Sequence, residues 1–148
     1  MKSIFVTLLI GGASGVLLGT AWAKIWAAAR TRLAWPEGAN FFRLHLSSNF
    51  VIATEIAVST IALVVPNFRL SSLLLAIIYA GFVVGATTLK GQECGCFGIE
   101  GLKVGPVHIW GCVLTAAALL ASVVSSEEIT SPRPLRLVVA MASAVVMT

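Results

Sequence analysis

The sequence predicts an all-α protein, a polytopic bundle of four transmembrane helices followed by a short apolar segment with the composition of a fifth. Three observations lead there. Of its 148 residues, 58% are hydrophobic and 11% charged, with a mean hydropathy of +0.98, which leaves too few polar groups to coat a soluble domain. The apolar residues gather in runs close to the ~20 that cross a hydrocarbon core. Between the runs stand Pro, Gly, Asn and charged residues, which mark turns.

Taken in order, the predicted spans are residues 4–29, 50–66, 71–89 and 106–124. Trp35-Pro36-Glu37-Gly38 and Ser47-Ser48-Asn49 separate the first two, and Pro66-Asn67 ends the second. The Gly-, Cys- and charge-bearing segment from Lys90 to Gly105 precedes the fourth, and Pro106 suits its first turn. The run from Leu135 to Met147 follows Ser131-Pro132-Arg133-Pro134 and is short for a span, so interfacial, re-entrant and fifth-helix placements all remain open. No linker composition or internal repeat divides the chain, which reads as one membrane domain.

The net charge of +4 and pI near 9.4 come from basic residues scattered between apolar runs, so they act as topology signals and not as a nucleic-acid surface. Lys2, the first apolar run and Ala21-Trp22-Ala23 imitate a signal peptide with a small-residue cleavage site. That run is longer than a usual signal core, and the expectation is a retained helix. Gly11, Gly15 and Gly19 lie on one face of it, and Gly81 and Gly85 repeat the spacing in the third stretch, which suggests a contact between those two helices.

In a four-span bundle the end of helix one, the start of helix two, the end of helix three and the start of helix four share a membrane side. Lys24, Glu55 and Cys112 then each lie about 7–9 Å inside that boundary at 1.5 Å per residue, with His108 at the start of the last helix. A charge in lipid costs at least about 2.5 kcal/mol, so Lys24 and Glu55 are expected to pair between helices one and two. The competing reading has Lys24 snorkelling to the interface and Glu55 exposed ahead of a later helix start.

Cys94-Gly95-Cys96-Phe97-Gly98 lies in the loop on the same side. Gly95 and Gly98 permit the sharp turn that brings two thiols one residue apart within disulfide reach. So small a ring is strained, and a strained, exposed disulfide is labile and suited to exchange. Lys90 and Lys103 would favour thiolate there, while Glu93 opposes it. Cys112 reads first as a small packing residue and second as a resolving thiol. A metal site from Cys94, Cys96, His108 and Cys112 is disfavoured, because a one-residue gap is not the spacing of zinc ligands and His108 suits a hydrogen bond at the helix start. The chain carries no phosphate loop, catalytic triad or nucleic-acid motif.

Gly91-x-x-Cys94-Gly95-Cys96-Phe97-Gly98 ahead of a final membrane helix, with Lys24 near the end of helix one and Glu55 early in helix two, resembles the MauE family. These are methylamine utilisation membrane proteins, related to the DoxX-like four-helix proteins, and the likeness covers about the first 125 residues. The resemblance implies thiol–disulfide exchange at Cys94 and Cys96, with Lys24 and Glu55 in support. It implies a thioredoxin-like or disulfide-rich extracytoplasmic client, such as the small subunit of methylamine dehydrogenase. No resident cofactor is expected, and a quinone is compatible as electron acceptor. The alternatives are a membrane scaffold or assembly subunit in which the Cys pair is a static staple and, less favoured, a metal-handling membrane protein.

Orientation sets two arguments against each other. Lys2, Arg69, Arg133 and Arg136 lie on one side against Arg30, Arg32, Arg43, Lys90 and Lys103 on the other, so positive-inside counting alone turns the dithiol loop inward. An oxidised pair persists outside the reducing cytoplasm, and the implied client is extracytoplasmic. The expectation is therefore a loop that faces outward.

Overall fold

Amides in the first turn of a helix have no partner within it, and two polar side chains placed before apolar runs meet that need. Ser47 Oγ accepts from the Phe50 amide at 3.3 Å, and Asn67 Oδ1 accepts from the amides of Arg69 at 3.0 Å and Leu70 at 3.2 Å. Pro66 and Asn67 also divide what would otherwise be one apolar run into two helices. The computed structural model describes residues 2–30, 40–41, 44–45, 47–89, 91, 103–124 and 133–147. Among them the fold is all-α with five helices: α1 Lys2–Ala29, α2 Ser48–Val64, α3 Phe68–Thr88, α4 Pro106–Val124 and α5 Arg133–Met147. Between α1 and α2, the two-residue strands β1 (Asn40–Phe41) and β2 (Leu44–His45) pair antiparallel, Asn40 opposite His45.

Among the described residues three helices are long and apolar enough to cross a membrane: Ile4–Ala29, Phe68–Thr88 and Pro106–Val124. The apolar helices Ser48–Val64 and Pro134–Val145 are shorter. At 1.5 Å per residue α2 is about 26 Å long and α5 about 22 Å, against a hydrocarbon core of about 30 Å. The sequence-based starts of helices two and three fall two and three residues late, because Ser47 and Asn67 cap one turn earlier than the apolar pattern suggests. The fourth matches its predicted bounds.

The surface is inverted relative to a soluble protein. Thr7, Ser14, Lys24, Glu55, Ser59, Ser71, Ser72, Ser122 and Arg136 are buried, while Phe5, Trp22, Ile77, Trp110, Leu114 and Val124 are more than half exposed. Polar groups gathered inside and large apolar groups outside are what a lipid solvent demands. Buried hydroxyls join the helices: Ser122 Oγ donates to Ser72 Oγ between α4 and α3 at 2.9 Å, and the Tyr79 hydroxyl donates from α3 to the Ala13 carbonyl of α1 at 3.0 Å. The apolar core between them contains Ile10 and Leu17 of α1, Leu75 of α3 and Leu119 of α4.

The contact between α1 and α3 that the spacing suggested is present, through Tyr79 and Ala13, but Gly11 and Gly15 of α1 receive α5. A β-carbon on Gly11 would lie 2.9 Å from the Arg136 carbonyl oxygen and 3.0 Å from Val139 Cβ, and one on Gly15 would lie 2.7 Å from Ser143 Cβ. Positions rise together along the two helices, so α5 runs parallel to α1, with which it makes its principal contact. Gly81 has nothing within 4 Å of such a carbon. The C-terminal run is therefore a helix packed into the bundle. Gly15→Val is expected to push α5 off α1 at a cost of about 1–3 kcal/mol, whereas Gly81→Ala should cost nothing measurable. Unfolding of both variants in mild detergent checks this, and equal losses would refute the α1–α5 contact.

Arg136 is 0% exposed, and its Nη1 donates to the carbonyls of Ala62 at 3.2 Å and Val65 at 3.1 Å. It therefore drops out of the loop charges counted for topology and belongs to the interior, where it caps the C-terminal end of α2. The last carbonyls of a helix lack intrahelical partners and carry partial negative charge, which a guanidinium satisfies.

Candidate functional site

Lys24 lies near the end of α1 and Glu55 in the first half of α2, both 1% exposed, and the Lys24 ammonium donates to Glu55 Oε1 in a buried ion pair. The pairing expected from their matched depths is present. Because α2 begins at Ser48 and not later, Glu55 is carried inward, which removes the reading that leaves it exposed. Two charges out of water are tolerated when each meets the other with hydrogen-bonding geometry. The Phe82 ring of α3 adds a face 5.8 Å from Lys24 Nζ, within cation–π range. Phe82 is itself set edge-on to Tyr79, with centroids 6.0 Å apart at 83°.

Beside the pair lies a partly open cavity of about 40 Å³. Val16, Leu17 and Thr20 of α1, Tyr79 and Phe82 of α3, and His108 and Cys112 of α4 form its walls, with Glu55 reaching in from α2. Glu55 Oε2 is buried and has no hydrogen-bond partner among the described residues. Cys112 is a free, buried thiol. It serves the packing role expected of it, as part of the apolar core, and it also presents its side chain to the cavity.

Cys94, Gly95, Cys96, Phe97 and Gly98 lie outside the described residues. The neck of their segment is described. The Gly91 amide donates to the Val104 carbonyl at 3.1 Å, so the chain leaves α3 and returns to α4 at one point. Gly91 has φ +82°, a left-handed conformation that favours glycine, which accounts physically for the first glycine of the motif. Beneath the neck, Ala86, Leu89 and Val104 are buried with Ile109 packed against them.

The structure thus brings Lys24, Glu55, His108 and Cys112 to the end of the bundle where α1 finishes and α4 begins. Trp22 and Trp26 of α1 and Trp110 of α4 are exposed there, with the Arg30 guanidinium 4.1 Å from the Trp26 ring centroid. Such residues favour the membrane–water boundary. Sequence reasoning missed Thr20, Tyr79 and Phe82. Tyr79 had a visible signal, because a lone tyrosine inside an apolar helix needs a partner for its hydroxyl, whereas nothing in the sequence distinguishes Phe82 from a lipid-facing phenylalanine.

Compared with protein families, with curated proteins and with solved structures, the chain matches none.

Proposed function

We propose that this chain is a multi-pass membrane thiol–disulfide exchange factor of MauE type, with α1 to α4 crossing the bilayer and Cys94 and Cys96 as its exchanging pair. The observation that supports the reading most is the buried Lys24–Glu55 pair, set at the end of the bundle from which the dithiol segment departs. Charges held at that depth between two helices have a cost, and the resemblance assigns both residues a supporting role. The hydrogen bond from Gly91 to Val104 suits exchange, since it fixes together the points where the chain leaves α3 and returns to α4, at the end of the bundle that holds the buried pair. The client is a disulfide-rich or thioredoxin-like protein, with a quinone as the compatible electron acceptor.

Exchange proceeds by attack of a client thiolate on one sulfur of the Cys94–Cys96 disulfide, which releases the other as thiolate. The mixed disulfide is then cleaved by a second client thiol, so the client gains a disulfide and the pair ends as a dithiol. In Cys94→Ser or Cys96→Ser the remaining thiolate can enter the same exchange only from the reverse side, by attacking a client disulfide and releasing one client thiolate. The internal thiol that would resolve the resulting mixed disulfide is gone. At least one of the two variants is expected to accumulate a DTT-sensitive adduct on non-reducing gels. No adduct from either variant, together with a wild-type pair that stays oxidised in reducing glutathione buffer, would leave the static-staple reading in its place.

Burial of Arg136 leaves three charges at helix ends, Lys2, Arg69 and Arg133, against five on the dithiol side, which sharpens the positive-inside argument for an inward loop. The compartment argument opposes it, because a labile disulfide is reduced in the cytoplasm, and the proposed chemistry requires an outward one. A membrane-impermeant maleimide is expected to label reduced Cys94 or Cys96 in spheroplasts. Labelling only after lysis would place the loop inside.

A further inference from the structure

A buried carboxylate oxygen without a hydrogen bond is an unfavourable arrangement, and the bundle holds one beside open space. Glu55 gives Oε1 to Lys24 and leaves Oε2 without a protein partner among the described residues, next to a cavity of about 40 Å³. A water needs roughly 10–15 Å³ of such volume and two to four polar partners, so two or three waters fit where a ring compound does not. The polar partners come from several helices. Thr20 Oγ1 and the Tyr79 hydroxyl already donate to the Leu17 and Ala13 carbonyls and are left to accept. His108 and Cys112 supply side chains from α4. Among the described residues no three His, Cys, Asp or Glu side chains are grouped as a metal would require.

The geometry points to a hydrated proton-exchange site: the Glu55 carboxylate trades protons with the end of the bundle where α4 begins, through water held among Thr20, His108 and Cys112. The groups facing Glu55 are Lys24 from α1, Tyr79 from α3, and His108 and Cys112 from α4, while Arg136 of α5 is engaged at the far end of α2. A proton arriving on Oε2 converts the carboxylate to the acid, and its departure restores the ion-paired form. No other bond changes and no oxidant is consumed. The site does not depend on the chemistry of Cys94 and Cys96.

Infrared difference spectroscopy of the full chain in liposomes tests this. The carboxyl signal assigned to Glu55 by its loss in Glu55→Gln is expected to change reversibly with bulk pH and to shift in D₂O. Cys112→Val fills part of the cavity and is expected to slow the D₂O shift by about tenfold, roughly the factor of one water-to-carboxylate hydrogen bond lost when a water is displaced, whereas Cys112→Ala leaves that space open and should not slow it. General loosening of the bundle would instead speed exchange in both variants. The same behaviour is expected in Cys94→Ser/Cys96→Ser, which separates this site from the exchange reading. A Glu55 signal indifferent to pH and D₂O, or one that exchanges in Cys112→Val as fast as in wild type, overturns the inference.

Discussion

Lys24→Met and Glu55→Leu are each expected to destabilise the bundle by about 3–5 kcal/mol, the cost of leaving one buried charge without its partner. The partners are 1% exposed and hydrogen-bonded to each other, so Lys24 cannot recover hydration without opening the contact between α1 and α2. Lys24→Met leaves Glu55 without any protein partner among the described residues, since Oε2 already has none and Oε1 loses its own. Glu55→Leu leaves an ammonium facing the Phe82 ring at 5.8 Å, which returns only about 0.5–2 kcal/mol. The double variant places two apolar side chains together and is expected to recover most of the loss, because a buried pair is worth little against a packed apolar replacement. Unfolding in mild detergent across the double-mutant cycle gives the coupling. Strict additivity of the two single losses would mean that the residues do not act as a pair.

Arg136→Met is expected to cost about 2–4 kcal/mol, because the buried Ala62 carbonyl loses its charged donor, an unmade buried acceptor costing roughly 1–3 kcal/mol, and the part-buried Val65 carbonyl loses a second charged bond. Both bonds come from Nη1, to Ala62 and Val65, and tie α5 to α2 while the glycine face of α1 holds the other side of α5. Loss of that tie should also free α5, so protease added to the detergent-solubilised variant should remove the C-terminal helix faster than from wild type. Arg136→Lys restores charge without the planar donor set and is expected to recover part of the loss. The opposite result is informative. If α5 only rested in lipid beside the bundle, replacing a buried arginine with methionine would leave stability unchanged or raise it, and cleavage would not accelerate.

Sequence alone determined the features that depend on local composition and helical period. The apolar runs and their Pro, Gly and Asn breaks produced four of the five helices within about three residues, since in lipid the backbone must satisfy its own hydrogen bonds and a helix does so within one segment. The pairing of Lys24 with Glu55 was legible for a similar reason. Charges are so costly at that depth, and helix parity so restrictive, that two opposite charges at matching levels have few alternatives. Tertiary structure decided what depends on which faces meet. Gly11 and Gly15 announce a close helix contact but cannot name the partner, because small residues admit any backbone and carry no complementary pattern; α5 occupies the face that α3 was expected to take. Arg136 looked like a loop charge because its value as an interior cap exists only once α5 lies against the end of α2. The cavity is likewise a property of four helices together, for Thr20, Tyr79, His108 and Cys112 lie in three separate segments and become one polar site only around the Glu55 oxygen that has no hydrogen-bond partner among the described residues.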